Sequence, residues 1–311
     1  MVGREDLLVC NTCGTQFDVP ADKPLKSCRI CDDPRQFVPP SGQTWTSLAQ
    51  MREQYKNNFH QAKNEERMWS IVTEPKFGIG QRCVLLQTPE GNVLWDCITY
   101  LDSETVETIK AKGGLKAIVI SHPHYYTTHL DWAEAFDCPV YIAAEDEEWV
   151  CRPDPDGRRR LLSGNFEDII PGVCAAKPGG HFPGSLVLSW DKKLFIADTF
   201  VTVPVRPPSM GLLRFNVLIL VQSAYYHLDR PPGTTSYAFM WSIPNMLPLP
   251  PSELYKMWQV LKELDFESTH AAFLGTDIRD SDVKKRVLES MKIQAKCMGY
   301  TEHDILDQAL P

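Results

Sequence analysis

The stretch Lys116-Ala117-Ile118-Val119-Ile120-Ser121-His122-Pro123-His124 decides how this chain is read. An unbroken apolar run of this length, with no polar alternation, is the pattern of a strand buried on both faces. Its end carries two imidazoles on alternating residues, which places them on one side of the chain where they can converge on one ion. Working outward, Arg82–Gln87 and Asn92–Ile98 flank Pro89-Glu90-Gly91 and predict a hairpin, with a helix following at about 103–112. Downstream, Leu130–Phe136 reads as a helix and Val140–Ala144 as a strand. Short strands are expected near 173–177, 185–190 and 193–198, and helices at about 251–264 and 280–298. This alternation indicates a layered α/β domain.

Two further stretches extend the histidine pair. Gly179-Gly180-His181-Phe182-Pro183-Gly184-Ser185 sets a third imidazole in a glycine-rich turn, and Leu194-Phe195-Ile196-Ala197-Asp198 sets a carboxylate at the end of an apolar strand. Three nitrogens and one oxygen form a metal-ligand set. In order and interval these motifs resemble those of the metallo-β-lactamase superfamily, over roughly residues 70 to 300. The resemblance implies an αββα sandwich, an aspartate beneath the metal at Asp96, and His270 at the place of the superfamily's last ligand. The superfamily's His-x-His-x-Asp-His would need Asp at 126 and His at 127, whereas this chain has Tyr126 and Thr127. The resemblance therefore implies a single zinc at His122, His124, His181 and Asp198. Tyr126 and His270 are the candidates for orienting substrate. His129 and Asp131 lie a turn beyond, and are read as exposed helix positions. His227 and Arg230 sit in a Pro/Gly loop of the kind that lines pockets.

A separate signal lies at the N-terminus. Cys10-Asn-Thr-Cys13 and Cys28-Arg-Ile-Cys31 are two Cys-x-x-Cys pairs at the spacing of a closed tetrahedral site, so residues 8–40 predict a four-cysteine zinc ribbon or rubredoxin-like module. So small a module needs a metal staple, because it has little apolar core of its own. Zinc is the structural expectation and iron the competing metal, since four sulfurs suit either. The ribbon followed by this domain also resembles uncharacterised microbial and fungal proteins.

Between the modules, residues 41–69 are read as a linker helix opening at Thr46, and 70–300 as the main domain. Val205–Gln222 is anomalous: its apolar run Val217–Val221 fits neither a loop nor an expected strand, and its insertion suggests translation of a retained short intron. The 311 residues carry a net charge of −8, which argues against a nucleic-acid or anionic-membrane partner and for a small-molecule substrate, with a protein partner reached through the ribbon. Ten cysteines without a secretory start point to a reducing, cytoplasmic setting. The function expected is a zinc-dependent, hydrolase-like protein acting on a small ester, lactone, lactam or thioester. The alternative is a catalytically impaired binding or regulatory protein on the same fold.

Overall fold

The computed structural model describes residues 4–203 and 234–311. The anomalous stretch Val205–Gln222, with His227 and Arg230, lies outside the described residues. Strands β1 (Leu7–Cys10), β2 (Gln16–Pro20) and β3 (Trp45–Thr46) form a small sheet in the order β2-β1-β3. After a short helix α1 (Leu48–Met51) comes a seven-stranded mixed sheet built from β4 (Lys56–Ala62), β5 (Glu65–Glu74), β6 (Cys83–Thr88), β7 (Gly91–Trp95), β8 (Ala117–Val119), β9 (Val140–Ala143) and β10 (Arg159–Leu162). Strands β4 to β7 pair antiparallel, and β7 to β10 pair parallel. The parallel crossovers carry helices α2 (Ser103–Ala111) and α3 (His129–Phe136).

A second sheet contains β11 (Phe166–Ile170), β12 (Val173–Ala176), β13 (Val187–Trp190) and β14 (Lys193–Ala197). Two short ribbons follow, β15 (Val201–Thr202) with β16 (Tyr237–Ala238) and β17 (Met240–Ser242) with β18 (Leu247–Pro248). The chain then runs through α4 (Pro251–Leu261), returns to the second sheet as β19 (Ser268–Ala271) and β20 (Ile278–Arg279), and ends in α5 (Val283–Cys297) and α6 (Asp304–Asp307).

Strand β14 shows why the sheets stack. Phe195 and Ala197 enter a core shared with the first sheet and with Ile109 and Trp132 of α2 and α3, while Leu194 and Ile196 enter a second core with Leu254 and Val287 of α4 and α5. Alternate side chains of one buried strand thus join two apolar layers, and the order is helix, sheet, sheet, helix. This is the αββα sandwich that the family resemblance implies. Among the described residues, no helix is long and apolar enough to cross a membrane.

The expected linker helix over 41–69 is corrected. The helix is confined to Leu48–Met51 and is capped by Ser47, whose side chain accepts from the Gln50 amide, rather than by Thr46. The polar run beyond it forms the hairpin β4–β5, in register from Lys56↔Glu74 to Gln61↔Trp69. As an edge strand with largely solvated faces, β4 shows no hydrophobic alternation, and its polar and charged residues keep that edge from pairing with other chains. The same hairpin carries the main sheet back to residue 56, and Trp45 in β3 extends the ribbon's sheet past residue 40.

Candidate metal centres

In the N-terminal module the four sulfurs of Cys10, Cys13, Cys28 and Cys31 are buried and gathered within 4.8 Å of one another. Cys10 Sγ lies 3.6 Å from Cys31 Sγ, and Cys13 Sγ 3.7 Å from Cys28 Sγ. A tetrahedron with metal–sulfur bonds of about 2.3 Å has edges of about 3.8 Å, so the donor set fits a zinc-sized ion. The Thr12 amide and Gln43 Nε2 both donate to Cys10 Sγ, at 3.3 and 3.1 Å. Hydrogen bonds from Cys13, Cys28 and Cys31 pull the Cys10 thiol far down, while burial pushes Cys13 up. Four sulfurs in one dry pocket cannot all ionise without a cation, and a divalent metal is what lets them.

The second cluster is assembled from strand ends. His122 follows β8, His124 lies in the turn after it, His181 joins β12 to β13, and Asp198 follows β14. Their ligand atoms also lie within 4.8 Å of one another. His181 Nε2 is 3.3 Å from His124 Nδ1, and His122 Nε2 is 3.5 Å from Asp198 Oδ2. A tetrahedron with metal–nitrogen bonds of about 2.0–2.1 Å has edges of about 3.3–3.4 Å, which these spacings match.

Two of the three outer nitrogens are held by neighbouring groups. His122 Nδ1 pairs with Ser121 Oγ at 2.8 Å, and His181 Nδ1 donates to the Met240 carbonyl of β17 at 3.2 Å, which leaves His181 Nε2 as a lone pair. His124 Nε2 is buried with no partner among the described residues, and His122 Nε2 faces the Asp198 carboxylate. Burial keeps His124 far below the ordinary imidazole range and pushes His181 down to about 4, with His122 adding to both, so these two ligands are neutral near pH 7. Burial acts upward on Asp198, but the His122 hydrogen bond and the neighbouring imidazoles outweigh it and hold the carboxyl below its usual value.

Two residues that support the cluster have left-handed backbone. Asp96 (φ 63°) and Ala197 (φ 44°) are left-handed without being glycine, and the ladder between β14 and β19 shifts register between Phe195 and Ala197. The irregularity re-aims the chain just before Asp198. Asp96 Oδ1 accepts the Ser121 amide at 2.7 Å and so anchors the strand end that carries both histidines. In the His181 turn, Gly179 and Gly180 have φ of 71° and 93°, and a Cβ at Gly180 would lie 2.8 Å from Met257 Sδ. A Cβ at Gly184 would lie 2.5 Å from that of Ala143.

Two expected site residues are not brought to this cluster. Tyr126 donates its hydroxyl to the Asp146 carbonyl at 3.1 Å and packs its ring on His129 at 5.7 Å. The tyrosine beside the metal ligands is Tyr125, whose ring centroid is 5.5 Å from that of His122 and whose buried hydroxyl has no partner among the described residues. His270 is in register with Phe195, inside the sheet and short of the Asp198 end, and stacks on that ring at 4.8 Å. Both its nitrogens are engaged, Nδ1 with Asp277 at 3.0 Å and Nε2 with Ser268 at 3.1 Å.

Thr127 (φ 30°) places its hydroxyl 3.3 Å from the Cys97 carbonyl and gives its own carbonyl to the Gln16 amide of the ribbon. His129 is buried rather than exposed: Arg159 Nε donates to its Nε2 at 2.8 Å, and Asp131 pairs with Arg152 at 3.0 Å. Sequence reasoning missed Ser121, Tyr125 and the Met240 carbonyl. The position of Ser121 directly before the first histidine was the available signal. No sequence signal marks a backbone carbonyl more than 50 residues away.

No protein-family model matches the chain. Residues of this chain are 41% identical over 265 positions to the uncharacterized protein YmaE of Bacillus subtilis (strain 168), covering 85% of this chain and 88% of that one. Among solved structures, VMB-1 has 15% identity and a TM-score of 0.49, covering 78% of this chain and 99% of its own. A metallo-β-lactamase from Hirschia baltica has 12% identity and a TM-score of 0.46, covering 76% and 97%.

Proposed function

From the premise that the chain belongs to the family of the uncharacterized Bacillus subtilis protein YmaE, we propose that it is a metal-dependent, hydrolase-like protein with one zinc at His122, His124, His181 and Asp198 and a structural zinc in the ribbon. The observation that carries this reading is the convergence of three imidazoles and one carboxylate at tetrahedral spacing. A zinc ion there supplies Lewis-acid polarisation of a carbonyl oxygen. The substrate class is a small ester, lactone, lactam or thioester, and the net charge of −8 speaks against a polyanionic one.

The chain's own residues do the rest. Ser121 holds the His122 ring, the Met240 carbonyl fixes the His181 tautomer, and Asp96 holds the strand end from below. Tyr125, whose ring packs beside His122 and whose hydroxyl has no partner among the described residues, takes the role first expected of Tyr126, that of orienting a substrate or water.

A second reading has one observation in its favour. Tyr126 and Thr127, which stand where the superfamily pattern has its second-site Asp and His, are engaged in packing and in holding the ribbon, as a binding or regulatory protein without turnover would tolerate. In that reading a protein partner meets the ribbon at Phe37 and Val38, both exposed.

Elemental analysis of purified protein tests the proposal. Two zinc ions per chain are expected, one lost when Cys10 and Cys13 are replaced by serine and the other when His122 and His181 are replaced by alanine. A parent chain that holds a single ion, with the same content after loss of the histidines, refutes the metal centre.

A further inference from the structure

The loop that leaves the second Cys-x-x-Cys pair enters the main domain beside the histidine cluster. Arg35 is buried there, with its guanidinium carbon 3.8 Å from the Phe182 ring centroid and 5.1 Å from that of Trp149. Asp33 grips it from the same loop through Oδ1 to Nε at 2.7 Å and Oδ2 to Nη2 at 3.0 Å. The remaining nitrogen, Nη1, donates to the carbonyl of His181 itself at 3.4 Å. One residue earlier, the Pro34 carbonyl accepts from Ser242 Oγ at 2.5 Å and from Asn245 Nδ2 at 2.7 Å. Those residues end and follow β17, the strand whose Met240 carbonyl receives the His181 Nδ1 proton.

The ribbon therefore holds both supports of one ligand. Arg35 seats the turn that carries His181, and Pro34 seats the strand that orients its ring. Loop 32–36 is in turn fixed by the metal knuckle, since the Asp32 amide donates to the Cys28 carbonyl at 2.9 Å. Asp33 balances the arginine's charge, so the contribution to a nearby cation is one of geometry. The planar guanidinium matters because it stacks on Phe182 while its edges hydrogen-bond, which a lysine ammonium cannot reproduce.

We propose that Arg35 is a positioning residue of the histidine metal centre, and that the integrity of the four-cysteine centre sets the metal affinity of the histidine centre through it. This rests on the reading of the histidine cluster as a metal site. The two centres are then parts of one device, with the ribbon acting as a brace.

Cobalt(II) titration of the metal-free full chain tests this, because thiolate charge-transfer absorption reports the ribbon and ligand-field absorption reports the nitrogen–oxygen site. Arg35→Ala is expected to weaken cobalt at the histidine centre by about tenfold or more, in the range seen when residues behind metal ligands are removed, with the thiolate signal intact. Arg35→Lys is expected to restore only part of that affinity. Asp33→Asn leaves every arginine atom in place but loosens its grip, and is expected to weaken the site less; it carries the test should Arg35→Ala fail to fold. Histidine-site affinity within twofold of the parent in these variants, with the ribbon loaded, overturns the proposal alone. A parent chain that takes no cobalt at the histidines overturns the metal-site reading and this inference with it.

Discussion

The two clusters are built in opposite ways. The sulfur site takes all its ligands from two tight turns within a module whose own core is little more than Leu8, Phe17, Ile30 and the cysteines themselves. The histidine site takes its ligands from the ends of strands in two sheets, each already packed by a large apolar core. In the first, the metal supplies the missing core; in the second, the core supplies the site. Metal binding and folding should therefore be one event in the ribbon and separate events in the main domain.

The largest expected effect breaks the comparison if it fails. Stripping metal with a chelator should remove hydrogen-exchange protection across β1 to β3 while β6 to β9 stay protected, since structural zinc contributes on the order of 10 kcal/mol to small modules. Equal protection in both regions, with the metal gone, would mean that the ribbon folds on its contacts with the main domain.

The next prediction sharpens the account of the main domain by acid titration of the metal-free chain. Burial first, and then Arg159, push His129 down to about 3, below its unfolded value of about 6.5. The unfolded chain thus binds more protons over that window, so stability is full above pH ~6.5 and falls as pH drops toward ~3, by up to about 1.4 kcal/mol per pH unit for this group. Denaturant melts of His129→Gln should show a shallower acid slope than the parent, and parallel slopes would remove His129 as the cause.

The smallest effect concerns the metal alone. Ser121→Ala removes the partner of His122 Nδ1 and should weaken metal at the histidine centre by about 10–100-fold, about 1.4–2.7 kcal/mol, while the melting temperature of the metal-free chain stays near the parent's. Competition titration against a chromophoric chelator reads this directly, and a change in melting temperature with unchanged affinity would make Ser121 a packing residue only.

Much of this was legible in the chain. The run ending Ser121-His122-Pro123-His124 shows its buried strand through unbroken hydrophobicity, and the Cys-x-x-Cys pairs show their site through local spacing. The hairpin β4–β5 was not legible, because an edge strand with solvated faces lacks the period-2 signal on which recognition depends. Tyr126 was favoured over Tyr125 because it occupies the place of a lost aspartate, whereas a turn at Pro123–Tyr125 puts the earlier ring against His122.

The sequence by itself determined the residue types and the local spacing: four thiolates in two knuckles, two imidazoles at a strand end, a glycine-permitted turn for His181, and a carboxylate after an apolar strand. Only the tertiary structure decided that His270 is enclosed by Asp277, Ser268 and Phe195, that Thr127 faces the ribbon, and that Arg35 reaches His181 across 146 positions of chain. The physical reason is that ligand type and local geometry are short-range properties of the chain. Which nitrogen is free and which carbonyl is near depend on how two sheets and a ribbon pack, and that packing is set by apolar contacts distributed over the whole molecule.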